Sequence, residues 1–285
     1  MTTYHPTKKI NLAPDSVLFI YYLEGTLPRS YPINHDQYLG NWEEDGFSFL
    51  FFLQPAPVEI QQLVDDQPQL KLLDQYEMTY RDWQGGDLEP LQIGRFLFSP
   101  PWVTQTDSTE LIPITLDSGV VFGNGTHPTT ATCLEAMEIA CHGGKVQTML
   151  DLGTGTGVLA LAAAKIGVKR IAAVDFNYLA CRTANTNVVL NTMQDSIVVV
   201  NGRAEQLLAK PTDLLVANIH YDVMKDLVQT KGFLEQKWFV LSGLLNSETE
   251  KILTSLSDQP VHILKKWNSS GVWNTLLGIT EGDRS

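Results

Sequence analysis

The spacing of apolar and polar residues changes character along the chain. Ser16 to Leu23 and Gly46 to Leu53 are rich in Val, Ile, Tyr and Phe and predict two strands. Val58 to Val64 places apolar residues at Val58, Ile60, Leu63 and Val64, the spacing of a short helix, and Tyr76 to Trp83 predicts a third strand. Strand, strand, helix, strand implies a small α+β domain with an antiparallel or mixed sheet. Gly85 to Pro128 is crowded with Gly and Pro and leaves room for short strands only, so it is expected to be a connector and lid. From Thr129 the rhythm becomes regular. Helix Thr129 to Cys141 precedes strand Val146 to Asp151, helix Val158 to Ile166, strand Arg170 to Asp175 and helix Tyr178 to Leu190. Strands Ile197 to Val200 and Asp213 to Ala217, helix Tyr221 to Leu234, strand Trp238 to Leu241 and helix Ser247 to Leu256 follow. Such alternation predicts a parallel sheet covered on both faces. The last two runs, Val261 to Trp267 and Val272 to Ile279, are too close for a parallel crossover of about a dozen residues, so one end of the sheet should be antiparallel. The expected division is 1–82, 83–120 and 121–285.

Composition narrows the class. With 285 residues, 44% hydrophobic and 18% charged, the chain is long and apolar enough for two folded domains. No apolar run approaches the roughly 20 residues of a membrane span, and Met1 to Lys9 shows no apolar leader, so a soluble, cytoplasmic protein without membrane partners is expected. Cys133, Cys141 and Cys181 form no C-x-x-C pair and fall in predicted helices, the pattern of buried thiols rather than of disulfides or a metal site. Twenty Lys and Arg against 32 Asp and Glu give a net charge of −12, which disfavours free nucleic acid as a partner. The acidity is concentrated early: residues 1–82 hold five Lys/Arg and twelve Asp/Glu. That surface suits a basic protein partner, or serves solubility alone.

Two motifs carry chemistry. Asp151-Leu152-Gly153-Thr154-Gly155-Thr156-Gly157 lies where a strand ends and a helix begins, so its glycines permit a tight turn and close approach of a ligand. A dinucleotide fingerprint reads G-x-G-x-x-G; here the order is G-x-G-x-G with Asp151 just ahead. Bare amides suit a pyrophosphate, whereas amides plus a carboxylate suit a zwitterionic amino acid, as in S-adenosylmethionine. Asp175, 22 residues after Gly153, ends the next strand where an acid grips ribose hydroxyls. Asn218 follows another strand on the same carboxyl edge, placed either to orient an amine or to cap the next helix. The second motif, Val121 to Thr130, sets two glycines, His127 and a Thr pair before a helix whose first turn admits Pro128. It is either a loop closing over a cofactor or good capping. No H-E-x-x-H, G-x-S-x-G or Gly-Lys-Ser/Thr occurs, which removes zincin, hydrolase and Walker-type readings.

In order and spacing these motifs resemble the bacterial ribosomal protein L-eleven methyltransferase family. The likeness begins at Tyr76 to Trp83, passes through Glu89 to Arg95 and Ser99 to Trp102, is densest over Phe122 to Thr130, and continues through Leu241 to Leu245. The resemblance implies a Rossmann-like class I methyltransferase domain with a seven-stranded, mostly parallel sheet and an antiparallel terminal strand. It also implies S-adenosylmethionine as methyl donor and a small N-terminal α+β, ferredoxin-like domain that recognises a ribosomal protein. The family's cofactor contacts fall on Thr130, Gly153, Asp175 and Asn218; Asp151 and Gly155 belong to the same turn.

Three features depart from the family pattern. Asn218-Ile219-His220-Tyr221 puts a bulky ring beside the expected acceptor channel, Asn124 replaces a usual threonine, and residues 1–75 match weakly. Asn218 and Tyr221 also share the outer positions of the Asn-Pro-Pro-Tyr signature of enzymes that methylate planar amino groups, without its prolines. The expected chemistry is in-line methyl transfer to a neutral amine, with Asn218 and His127 as catalytic candidates and no metal. A small-molecule or planar-amide acceptor, and a cofactor-binding module without turnover, are the alternatives.

Overall fold

A computed structural model describes residues 12–28, 31–86, 89–103, 110–121, 123–208 and 210–281. Two units divide the chain, Met1–Leu88 and Glu89–Ser285. In the first, β1 (Val17–Glu24), β2 (Tyr38–Glu44), β3 (Phe47–Phe52) and β4 (Lys71–Thr79) form an antiparallel sheet of order β2-β3-β1-β4. The two-residue period turns Tyr21, Leu23, Leu50 and Phe52 onto Ile60 and Leu63 of α1 (Pro57–Asp66). Strand order and sense are those of the ferredoxin-like sheet expected. The first crossover, 25–37, contains Pro28 and Pro32 and shows no helix among its described residues. The strand expected at Tyr76 to Trp83 starts earlier and stops at Thr79, whose hydroxyl accepts the Asp82 N–H at 3.1 Å and opens α2 (Tyr80–Trp83) with a capping box.

In the second unit β5 (Leu91–Ile93), β6 (Phe96–Ser99) and β7 (Ile112–Thr115) make a small sheet. Then come α3 (Pro128–Cys141), β8 (Thr148–Leu152), α4 (Val158–Lys165), β9 (Arg170–Asp175), α5 (Tyr178–Leu190), β10 (Ile197–Asn201) and α6 (Ala204–Leu207). The chain continues through β11 (Leu214–Asn218), α7 (Tyr221–Leu227), α8 (Lys231–Leu234), β12 (Trp238–Leu245), α9 (Asn246–Leu256), β13 (Val261–Ser269) and β14 (Trp273–Thr280). The seven-stranded sheet has the order β10-β9-β8-β11-β12-β14-β13. It is parallel from β10 to β12, with β14 antiparallel to both its neighbours. This is the Rossmann-like arrangement expected, antiparallel end included. One face buries Met149, Ile171, Val216 and Val240 against α3 and α4; the other buries Leu150, Val174, Leu215 and Leu241 against Met224, Phe233 and Ile252. Phe96, Phe98, Ile114 and Leu116, from the stretch read as connector, belong to the first of these cores.

The helix expected from Tyr221 to Leu234 is two, because the Thr230 hydroxyl accepts the Phe233 N–H at 3.2 Å and restarts the turn. Strand order reverses between β8 and β11, so their carboxyl ends flank the crevice where open α/β sheets place ligands. Among the described residues no helix is long and apolar enough to cross a membrane. Gly278 of β14 passes beneath the Phe239 ring, and a Cβ there would lie 2.2 Å from Cζ. Gly278→Ala should therefore lower the unfolding free energy by about 1–3 kcal/mol in denaturant titration; an unchanged midpoint and slope would refute that close packing.

Candidate functional site

At the carboxyl end of β8 the chain turns through Gly153, Gly155 and Gly157, with φ of +71°, +55° and +84°. Gly153 is also fixed by space, since a Cβ there would meet Ile219 Cγ2 at 2.3 Å. Gly153 and Thr154 donate their N–H groups to the Val174 carbonyl at 2.8 and 2.9 Å. Asp175, ending β9, accepts the Gly155 N–H at 3.0 Å with Oδ2 and the Asn177 N–H at 2.9 Å with Oδ1, tying the turn to the start of α5. Asp151, only 1% exposed, accepts the Thr154 hydroxyl at 2.6 Å and the Ala160 N–H from the first turn of α4.

Burial dominates the electrostatics of these two acids. It pushes Asp151 up to about 7; the Thr154 hydroxyl opposes the rise and the nearby Asp175 charge adds to it. Asp175 is raised by burial too, against its backbone N–H bonds. None of the ion pairs among the described residues reaches either carboxylate. The turn therefore holds two acids with no paired cation among the described residues.

The second motif is fastened onto the first. Thr156 donates its hydroxyl to the Gly123 carbonyl at 2.6 Å. Fully buried Asn187 accepts the Asp117 N–H at 2.8 Å and donates to the carbonyls of Asp117 and Thr156 at 2.8 and 2.9 Å. One turn on, Asn191 makes the same exchange with Thr115 at 3.0 and 2.6 Å. Asn124 accepts the N–H and hydroxyl of Thr126, so the departure at this position supplies an Asx turn. Phe122 lies outside the described residues.

His127 is the N-cap of α3, and its Nδ1 lies 2.7 Å from Thr129 Oγ1. Asn218 Nδ2 donates to that same oxygen at 3.1 Å. His127 Nδ1 accepts the Thr129 backbone N–H at 3.4 Å, so it is the unprotonated ring nitrogen; the Thr129 hydroxyl then donates to it and the histidine proton lies on Nε2. Partial burial lowers the His127 pKa and keeps the ring neutral near pH 7. The Trp273 ring meets it edge-on with centroids 4.9 Å apart. With Nδ2 engaged, Asn218 Oδ1 accepts no hydrogen bond from the described residues; Gly243 makes room, since a Cβ there would lie 3.1 Å from that oxygen and 2.8 Å from the Ile219 carbonyl.

The residues singled out in the sequence thus meet at one sheet edge: Asp151, Gly153, Gly155 and Asp175 at the turn, Asn218 beside it and His127 joined to Asn218 through Thr129. Thr130 is buried in the first turn of α3, and its N–H donates to the His127 carbonyl at 2.9 Å. The Tyr221 ring packs on the Met224–Ile252 core, with Lys225 Nζ 5.8 Å and Lys251 Nζ 5.4 Å from its centroid. On the side of Lys251 the ring faces α9. Thr129 entered the sequence reading only as one of a Thr pair, and Asn187 and Phe176 were not singled out. The signals were an amide pair four residues apart in a largely apolar helix, Asn187 and Asn191, and a large apolar residue directly after a strand-ending acid. Phe176 is 50% exposed, held by Asn201 Nδ2, which donates to the carbonyls of Asp175 and Phe176 at 3.1 and 3.0 Å. No group of three side chains suited to a metal occurs among the described residues.

Residues 56–281 match the profile of the family described as ribosomal protein L11 methyltransferase (PrmA). A protein of that name from Desulfitobacterium hafniense is 37% identical over 186 residues, 64% of this chain and 59% of its own length. Another, from Desulforamulus reducens, is 31% identical over 212 residues, 72% of this chain and 68% of its own. The match thus spans about three fifths of the first relative's length. Among solved structures, the ribosomal protein L11 methylase from Lactobacillus delbrueckii subsp. bulgaricus superposes with a TM-score of 0.62 at 26% identity, over 68% of this chain and 100% of that one. The N-terminal domain of human METTL16 in complex with SAH shares the fold, with a TM-score of 0.51 at 14% identity over 60% of this chain and 76% of that one.

Asp151 offers a test by pH. A carboxyl whose pKa rises from 3.8 to about 7 on folding contributes stability that is complete below the unfolded value and is lost as pH rises through the folded one. Compared with Asp151→Asn in the ligand-free protein, the parent should lose a few kcal/mol of unfolding free energy between about pH 4 and about pH 7. A gap between the two that stays constant over this range would contradict the assignment.

Proposed function

The chain belongs to the ribosomal protein L11 methyltransferase (PrmA) family, and from that premise we propose that it is an S-adenosylmethionine-dependent methyltransferase acting on amino groups of a basic ribosomal protein. The observation that carries this reading is the uncompensated pair Asp151 and Asp175 around the glycine turn. A sulfonium and an ammonium supply the charge those acids lack. A pyrophosphate suits the turn poorly, because the buried Asp151 and Asp175 carboxyl groups beside it would repel its charge. The donor set therefore fits the cofactor. Asp151, Gly153 and Gly155 would hold its amino-acid end and Asp175 the ribose hydroxyls, while Phe176 would offer an apolar face to the base and Thr130 a further contact. When bound, this group supplies an electrophilic methyl on a positively charged sulfur.

The residues of the chain act on the acceptor. Asn218 Oδ1 accepts a hydrogen bond from the amine, aiming its lone pair, and Thr129 prevents the amide from turning over. A lysine entering a desolvated site loses its proton more readily, so positioning supplies the catalysis. His127, with Nδ1 committed and its proton on Nε2, serves as a hydrogen-bond donor at the entrance rather than as a general base. In this division the unit before residue 83 recognises the acceptor, 83–120 connects and covers, and 121–285 carries the chemistry in the cytoplasm. A planar-amide acceptor would call for Tyr221 to face it, and Tyr221 packs toward α9.

Incubating the protein with methyl-labelled S-adenosylmethionine and ribosomal proteins should label one basic band. Label confined to a small molecule, or none, would overturn the acceptor. Asn218→Ala should reduce kcat about a hundredfold. Thr129→Val should reduce kcat about tenfold while leaving S-adenosylhomocysteine affinity within about twofold, and Thr129→Ser should restore the rate. Equal activity of the valine and serine variants would remove Thr129 from the mechanism.

A further inference from the structure

The sheet of the first unit has a second face, opposite α1. Leu18, Ile20 and Phe51 are buried at one end of it, where Trp83 meets Phe51 with ring centroids 5.0 Å apart. The other end is open. There Tyr22 of β1 and Phe49 of β3 stand directly opposed and stacked, with centroids 4.7 Å apart and planes 17° apart. Phe47 lies 5.3 Å from Tyr22, and Trp42 of β2 is the cross-strand neighbour of Phe49. These four rings are half-buried, and Tyr76 of β4 is 40% exposed. Continuous aromatic surface on the two central strands, left open to solvent, marks a binding surface rather than a core.

Charge selects the occupant. Aromatic rings on the central strands of such a sheet would also stack nucleic acid bases, but a phosphate backbone needs cations beside the rings. Here the neighbours are carboxylates. Glu44 pairs across strands with Phe47, Asp74 pairs with Tyr22, and Glu24 and Asp45 lie at the strand ends, all four exposed. The only Lys and Arg among the described residues of this unit are Lys71, the cross-strand neighbour of Glu24 at the strand end, and Arg81, paired with Asp15 at 3.0 Å. Rings that attract cations through their faces, framed by carboxylates, fit ammonium and guanidinium groups on flexible stems.

We propose that the open aromatic face formed by Tyr22, Trp42, Phe47 and Phe49, with Glu44 and Asp74 at its rim, is the docking surface for a lysine- or arginine-bearing segment of the basic protein acceptor. The identity of the acceptor rests on the methyltransferase reading above; the chemistry of the surface does not. It captures the acceptor and raises its local concentration without taking part in methyl transfer.

The test uses the full chain and a fluorescein-labelled lysine–alanine peptide, with a glutamate–alanine peptide and a single-stranded oligouridylate as the other arms, all followed by anisotropy. The lysine peptide should bind, and more weakly as salt is raised. Tyr22→Leu combined with Phe49→Leu, and separately Glu44→Gln combined with Asp74→Asn, should each weaken binding about tenfold. The second pair changes only exposed groups, so it keeps the test sharp if the ring variant folds poorly. Tighter binding of the oligouridylate, or unchanged peptide affinity in the charge variant, would overturn the surface. In a methylation assay both variants should raise KM for the protein acceptor while kcat is retained, and unchanged KM in both would overturn the surface while sparing the methyltransferase reading. Peptide binding that depends on these residues, in a chain that methylates no protein, would sustain the surface and overturn that reading instead.

Discussion

Two carboxylates removed from water, with no cation paired to them among the described residues, are the constraint around which the second unit is arranged. Burying Asp151 and Asp175 on adjacent strands is costly, and the fold offsets the cost with directed donors: the Thr154 hydroxyl and Ala160 N–H for one, the Gly155 and Asn177 N–H groups for the other. Those same bonds set the path of the glycine turn, so the charge arrangement and the shape of the crevice are one feature. On the proposed reading, the remaining imbalance gives the crevice its preference for a positively charged nucleoside.

The second motif depends on the first through polar side chains rather than through apolar packing. Thr156, Asn187 and Asn191 fasten the stretch from Thr115 to Gly123 onto the turn and α5, and Thr129 then connects α3 to Asn218 at the end of β11. Amides and hydroxyls of this kind fix a loop in one register, because a buried amide left unpaired is penalised more than an apolar contact slightly loosened. A change at Asn187 would thus be felt at the site although it stands outside the crevice.

How much of this was legible in the sequence differs by level. The alternation after Thr129 read correctly because strands buried on both faces and their covering helices are long and strongly apolar; β9 and α5 coincide with the expected spans, Arg170–Asp175 and Tyr178–Leu190. β2 was missed because Tyr38–Glu44 carries Gly40, Asn41 and two terminal glutamates and is held by its pairing with β3 rather than by its own pattern. The strand placed at Tyr76 to Trp83 was displaced by the capping box at Thr79, whose side-chain bonds outweigh the β preference of the aromatic residues. Within the site, strand-end acids and glycines were visible, since their roles follow from position along the chain. Thr129, Gly243 and the Asn187 clamp were not, because each acts on a residue far away in sequence and acquires meaning only once the sheet has brought the two together.

The central claim, that the uncompensated pair selects a cationic nucleoside, is tested most directly by calorimetric titration with S-adenosylmethionine near pH 7 in two buffers of different ionisation enthalpy. The account predicts binding accompanied by proton release, because a positive ligand beside Asp151 and Asp175 pulls their raised pKa values down. It predicts no comparable heat with NAD. Tight uptake of NAD, or binding of S-adenosylmethionine with the same heat in both buffers, would contradict it.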